Sequence, residues 1–479
     1  MNPIRKIKFS FYLGILLLLC GACQDWLSVS PKSEVKYDDL FKNKNGFKDQ
    51  LTGIYTAMCA KETYGANVTF GAIDAVGQYY YLLMNRNCKY YYISRFEYDN
   101  TTCQNIFKEI WGKMYNAVAN VNILLEGIEE HAGVLSQQEK DIYKGEALGL
   151  RAFLHFDLLR MFGKSYVAGA NEPAIPYMKE ISKNVISLST VDEALGWVIA
   201  DLEEAARLLE RDPIHTGEET TTFLGTRIFH LNYYAVRALL ARVYLYRNDK
   251  VNALKNASEV IRDHKFTWVT RGNVTTTERE NRDGIFVTEN IFMLNNTALN
   301  DLANEFLRPG MIDKQDNVMV VDADVRDVVF EKEQYGTYDW RNLYYFELPS
   351  WYGYNTRLWQ FSDMPEGYRN RQPLIRMSEM YLIAAECTTN RTEAVEYLNT
   401  LRVHRGIPEE FDFEEEITDG VLSLEIGKEY RKEFWGDGQW FFYCKRMDKD
   451  NLPDVLVPFK KDYYCFPMPD IEIEYGNRN

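Results

Sequence analysis

The chain is poor in the residues that metal and redox chemistry need. Of eight cysteines in 479 residues, the six besides Cys20 and Cys23 form no Cys-x-x-Cys pair, and the six histidines show no spacing of the kind a zinc site uses, so no resident metal is expected. There is no Gly-x-Ser-x-Gly elbow, no His-Glu-x-x-His helix and no Gly-rich phosphate loop. Those absences remove the commonest signatures of serine hydrolases, metalloproteases and nucleotide enzymes, and no cofactor is expected. Positive charge is also short: 55 Lys and Arg face 70 Asp and Glu, for a net charge of −15. Such a surface repels nucleic acid and anionic lipid headgroups, so neither is an expected partner. After Cys23 no run of eighteen or more apolar residues occurs, so no membrane-spanning helix is expected in the body of the chain. The abundant acids do not identify a glycosidase, because carboxylate pairs abound by chance and catalysis needs two of them about 5–10 Å apart across a sugar.

At the start, Arg5, Lys6 and Lys8 precede an apolar run from Phe9 to Leu19, and Gly21 and Ala22 lead into Cys23. This is the charge, apolar core and small-residue order of an export signal. A cysteine directly after the small residues resembles a bacterial lipobox, although Cys20 occupies the −3 position where leucine is usual. Residues 1–22 are therefore read as a lipoprotein signal peptide and residues 23–45 as a tether lipidated at Cys23. Lipid chains contribute about 0.8 kcal/mol per buried CH₂, enough in combination to hold a folded body on a membrane surface. An exported location permits disulfides, and Cys88 with Cys103, the closest pair in sequence beyond the anchor, is the candidate bridge.

Residues 46–479 read as one domain, with a helical base at 46–265 and 373–479 and a loop-rich insertion at 266–372. The segment Gly145 to Gly163, GEALGLRAFLHFDLLRMFG, carries apolar residues on two stripes. The pattern predicts a helix covered on most sides, ending at Gly163 in a left-handed cap. Helical periods also recur at Gly46–Cys59, Ile106–Ile128 and Val191–Leu209. Leu231–Tyr246 with Val251–Ile261, and Met377–Glu386 with Glu393–Val403, repeat a helix–turn–helix whose small residues resemble the tetratricopeptide spacing. Two excursions break these periods. Thr69–Thr102 is dense in tyrosine, and Phe266–Gln372 gathers tryptophan and tyrosine among Asn, Asp, Arg and Gly, with strand-like runs at Ile285–Val287, Ile291–Leu294 and Val318–Val321. Tyrosine and tryptophan on loops offer flat apolar faces with a polar tip, a chemistry suited to sugar rings. His155 lies on the long central helix, where a hydrogen-bonded buried histidine is the expected role. Glu146, Arg151, Asp157, Glu379, Arg431, Glu433 and Arg446 read as charges that satisfy one another inside the array.

Taken in order, CQDWLSVSP, the Gly145–Gly163 segment, ENIFML, PLIRMSEMYLIAAEC, EYRKEFWGDGQWFFYCKR and FPMPDIEIEYGN resemble the SusD/RagB family of surface nutrient-binding lipoproteins nearly end to end. Asp437 stands where glutamate is common, and Cys444 where an acidic or apolar residue is frequent. The resemblance implies a mainly α fold: a tetratricopeptide-like helical array carrying a loop-rich, irregular ligand-binding subdomain. It also implies a non-catalytic role on the outer face of the outer membrane, with a SusC-like TonB-dependent transporter as partner and an oligosaccharide as cargo. A peptide-binding importer lid and a surface glycoside hydrolase are the alternatives, and a lid that binds little without its transporter is a third. Family ligand sites are shallow and loop-built. The candidate binding residues are accordingly Tyr80, Asn85, Arg86 and Tyr91 from the first excursion and Trp340, Arg341, Trp351 and Tyr354 from the second. The rings would stack on sugar faces, while Asn and Arg would fork hydrogen bonds to hydroxyls or a carboxylate.

Overall fold

The computed structural model describes residues 37–82, 85–131, 133–278, 281–307, 317–347, 355–356 and 367–476. Its helices start where polar caps meet apolar faces. α1 (Lys44–Met58) begins at Asn43, whose side-chain oxygen accepts from the Asn45 amide, and it buries Phe47, Leu51, Ile54 and Met58. α2 (Thr101–Glu130) is capped in the same way by Asn100. α3 (Gln137–Phe162) opens with a reciprocal capping box between Ser136 and Glu139. That box starts α3 two turns before Gly145, because residues 137–144 are mostly polar and leave no apolar stripe to read. From Gly145 to Phe162 every residue is buried. Gly163 corrects an expectation: its backbone is extended, with φ −96° and ψ 165°. Its value is space, since a Cβ there would lie 2.9 Å from the Cβ of Ala174.

α4 (Val191–Leu208), α5 (Tyr233–Tyr246), α6 (Lys250–Arg262), α7 (Met377–Cys387), α8 (Arg391–Val403), α9 (Asp419–Glu433) and α10 (Gln439–Arg446) complete the array. From α1 to α8 each helix packs on the next, which is the arrangement of stacked tetratricopeptide-like pairs. The contact of α6 with α7 is made although more than a hundred residues of sequence separate them. Small residues set the spacing. A Cβ on Gly149 would lie 2.5 Å from Leu231 Cδ2, and one on Gly145 would lie 2.8 Å from Leu209 Cγ. α9 then packs back onto α7, with α10 beside it.

Strands are short and paired. β1 (Pro173–Ile175) and β2 (Ser189–Thr190) form a ribbon beside α4; within the insertion come β3 (Asn290–Asn295), β4 (Phe346–Glu347), β5 (Asn355–Thr356) and, at its end, β6 (Arg371–Arg376). β3 pairs antiparallel with β6, so the insertion leaves and re-enters the base through one buried ribbon, and β4 pairs with β5. The run Ile285–Val287 is not a strand. The Asp283 carboxylate accepts from the Ile285 and Val287 amides at 3.1 and 2.8 Å, removing the donors a ladder would use, and Phe286 turns left-handed at φ 51°. Val318–Val321 is reduced to a single bridge, Val320 to Tyr81.

The charges of α3 are satisfied inside the array. Glu146 accepts from Arg227 Nη1 at 3.0 Å and His230 Nδ1 at 2.6 Å. Burial pushes its carboxyl up, but His230 and Arg227 outweigh burial and hold it at about 2. Arg151 forks onto Asp201 with two 2.7 Å bonds, and Asp157 takes Arg160 together with the Tyr64 hydroxyl. His155 donates from Nδ1 to the Arg151 carbonyl at 2.8 Å and accepts the Met178 amide at Nε2, 3.0 Å away, which makes it a neutral imidazole. Burial lowers it to about 3.

Candidate ligand-binding site

The first excursion is anchored from beneath. Asp74, in a short helix at residues 72–76, accepts from the amides of Gly436 and Gly438 at 2.7 and 3.0 Å. Both glycines are left-handed, with φ 93° and 71°, so they present their N–H groups where a side-chain-bearing residue would be strained. Burial raises Asp74 well above the usual carboxylate range, and Asp437 nearby adds to that rise. Next in sequence, the Tyr79 hydroxyl donates to the Arg431 carbonyl at 2.6 Å, and its ring lies 4.4 Å from the Trp435 ring. Trp435 in turn meets Phe346 of β4 edge-on at 5.0 Å and stacks on Phe330. This aromatic floor joins the first excursion to the root of the β4–β5 hairpin.

Above the floor the two excursions are joined by hydrogen bonds. The Tyr81 amide donates to the Val320 carbonyl at 2.7 Å, Asn85 Nδ2 to the Val318 carbonyl at 3.2 Å, and the Lys89 amide to Asn317 Oδ1 at 3.1 Å. Along this seam Arg86 and Asn87 are exposed, and Tyr81 and Asn85 are half-buried. The face therefore combines polar side chains with a tyrosine edge on a fixed base.

The end of the second excursion before β4 is held by a buried charge network. Arg341 is fully buried; it forks onto Asp339 at 3.0 and 2.7 Å and reaches Glu429 at 2.8 Å and Glu433 at 3.0 Å. Arg405 forks between Glu433 and Glu289, and Arg376 bonds to Asp437. Burial pushes Glu433 up, but Arg405, Arg376 and Arg341 hold it at about 2. The Trp340 amide donates to the Arg405 carbonyl at 2.8 Å, and its indole lies over Gly406, at a left-handed turn with φ 86° and no room for a Cβ.

Two profiles of one family match the chain. Residues 25–245 match a SusD-like profile described as starch-binding and associating with the outer membrane, and residues 323–468 match the SusD family profile. The chain belongs to the SusD family. Among curated relatives, a SusD-like protein, P38, of Formosa agariphila is 23% identical over 292 residues, 61% of this chain and 51% of that protein, so the match spans about half the relative's length. A SusD superfamily protein from Bacteroides vulgatus superposes with a TM-score of 0.71 at 22% identity, covering 91% of this chain and 97% of that one. A SusD-like carbohydrate binding protein from the same organism reaches 0.70 at 19% identity over 91% and 97% of the two chains. A laminarin binding SusD-like protein gives 0.66 at 17% over 90% and 98%. At these identities the likeness is one of fold, and the fold is the mainly α, tetratricopeptide-like array. Among the described residues no helix is long and apolar enough to cross a membrane.

Within this SusD-family fold the candidate residues separate. Asn85 and Arg86 lie together on the seam, and Arg86 makes no ion pair with a described residue. Tyr80 is 6% exposed with its hydroxyl buried, and Tyr91 is 6% exposed, covered by Arg95 and edge-on to Tyr92. Both rings are core, so their assignment to ligand stacking is corrected. Arg341 is corrected most sharply: its donors are committed to Asp339, Glu429 and Glu433. Trp340 is half-buried against the helical base and anchors the insertion. Trp351, Tyr354 and Cys23 lie outside the described residues. Sequence reasoning missed Tyr81, the half-buried neighbour of Tyr80, and Tyr338, which is 46% exposed with its ring 5.9 Å from Phe411. Strand alternation would have placed Tyr81 on the face opposite Tyr80, but no strand period is visible in that stretch. The Cys88–Cys103 bridge does not form. The Cys88 thiol turns to the Asn317 carbonyl at 3.5 Å, Cys103 is buried in the first turn of α2, and both are free. Among the described residues no group of three or more His, Cys, Asp or Glu is placed to hold a metal ion.

Proposed function

We propose that this chain is a non-catalytic surface lipoprotein, anchored to the outer membrane through lipid on Cys23, that captures oligosaccharides and delivers them to a SusC-like TonB-dependent transporter. The observation that carries the reading is the seam between the excursions. Asn85, Arg86 and Asn87 follow Tyr81, whose amide bonds to Val320, and the Tyr79 ring just before it packs on Trp435. Hydroxyl-rich ligands need hydrogen-bonding side chains and an apolar edge on a rigid support, and a shallow face of this kind supplies both. The family profile described as starch-binding and the laminarin-binding neighbour support glycan over peptide as cargo. The exposed guanidinium of Arg86 would add affinity for a sugar carboxylate.

Calorimetric titration of the chain from Gln24 onward against neutral glycans including laminarin oligosaccharides, acidic glycans and peptides tests the reading. Binding to a glycan that falls at least tenfold in Arg86→Ala or Tyr81→Ala, with stability unchanged, is the expected result. Binding to peptides alone would move the chain to the peptide-carrying alternative. Turnover of a glycan during the titration would overturn the non-catalytic assignment.

A further inference from the structure

A narrow crevice of about 30 Å³ lies between α3, α5, α7, α9 and α10, far in sequence from the ligand-binding seam. Phe156 and Arg160 come from α3, Arg242 and Tyr246 from α5, Glu379 from α7, and Tyr430, Tyr443 and Arg446 from the last two helices. Tyr246 is 4% exposed, and its hydroxyl is buried with no hydrogen-bond partner among the described residues. An unmet buried hydroxyl is costly, and native proteins rarely tolerate one. Arg446 uses Nη1 and Nη2 on Glu386, which leaves Nε as its remaining donor nitrogen. The hydroxyls of Tyr430 and Tyr443, on the same lining, make no hydrogen bond with a described residue.

We propose that this crevice is a binding site for ordered water that bridges the Tyr246 hydroxyl of α5 to Arg160 of α3 and Arg446 of α10, and so ties the central helix to the C-terminal helices. A water needs roughly 10–15 Å³ of accessible space and two to four polar partners, and the crevice provides both. Charge decides against an anion. Arg160, Arg242 and Arg446 are paired with Asp157, Glu379 and Glu386 respectively, so the site carries no net positive charge to hold a halide. A dry crevice is disfavoured because, beside Phe156, Leu245, Ile383 and Phe442, its lining carries guanidinium and phenol groups, whereas cavities that stay empty are apolar throughout.

A crystal structure of the full chain, paired with a bromide soak, tests the site directly. The expected result is a density peak about 2.5–3.0 Å from Tyr246 Oη with no anomalous signal after soaking. A crevice without a peak, or a bromide signal at that position, would overturn the proposal. The variant Tyr246→Phe gives an independent readout. A hydroxyl that water satisfies is missed when removed, and the melting temperature should fall by about 1–2 °C. A hydroxyl that is unmet is better removed, so an unchanged or raised melting temperature would refute the bridge.

Discussion

Replacing Arg341 by methionine tests whether the second excursion is anchored by charge or presents that charge to ligand. The guanidinium has no exposed surface and bonds to Asp339, Glu429 and Glu433. Methionine fills much of the same volume but strands the partners unequally. Glu433 keeps Arg405 at 2.7 Å, and Glu429 keeps Lys432 at 2.9 Å. Asp339 keeps only the backbone amide of residue 341, at 2.9 Å. One buried carboxylate is then left without a counter-charge, and breaking a buried pair in this way costs about 3–5 kcal/mol. Guanidinium unfolding of Arg341→Met should show a loss of that size with little change in slope. Adding Asp339→Asn to the variant removes the stranded charge and should recover about 1–3 kcal/mol, a coupling that a double-mutant cycle reads directly. A loss below about 1 kcal/mol, accompanied by weakened glycan binding, would refute the reasoning and return Arg341 to the ligand face.

Gly149→Ala puts a methyl 2.5 Å from Leu231 Cδ2 and should cost about 1–3 kcal/mol in denaturant unfolding, more than the same change at Gly196, where nothing lies within 4 Å. His155 titrates near 6.5 when unfolded and near 3 when folded, so its contribution is full above pH 6.5 and is lost as pH falls through that window. Unfolding measured from pH 7 to 4 should therefore show a flatter loss in His155→Gln than in the parent chain. Asp437 has the opposite sense: burial lifts it from 3.8 to about 6, so its contribution is full below pH 3.8 and is lost as pH rises through 6. Asp437→Asn should make stability fall less steeply between pH 4 and 6. Because Cys88 and Cys103 are free thiols, a reducing agent should leave the melting temperature unchanged, and mass spectrometry after alkylation of the unfolded chain should find both modified.

Much of the helical array was legible because period and composition agree locally. α3 could be recognised from its two apolar stripes, and α5 with α6 and α7 with α8 from their small residues, since each helix buries a face that its own sequence encodes. The start of α3 was also legible, through Ser136 and Glu139, but the capping box is a weaker signal than an apolar stripe. α9 and α10 were visible only as motif, because α9 buries Glu425, Glu429, Lys432 and Glu433 alongside its apolar residues, which blurs the period.

The binding face was much less legible, and the reason is physical. Tyrosine is amphipathic, and whether its ring plugs a core or meets solvent depends on what the rest of the chain places over it. Tyr80 and Tyr81 are neighbours in sequence, yet one is buried under the first excursion and the other lies at the edge of the seam. Arg341 and Arg86 are the same residue type in similarly aromatic surroundings. Only the third dimension brings Asp339, Glu429 and Glu433 to the first and leaves the second at the surface. The sequence alone determined the class of fold, the position of its central helix and the family resemblance, because these rest on local periods and ordered motifs. The tertiary structure alone decided which charges are anchors and which can face a ligand, because that choice depends on partners more than eighty residues away, as Glu429 and Glu433 are from Arg341.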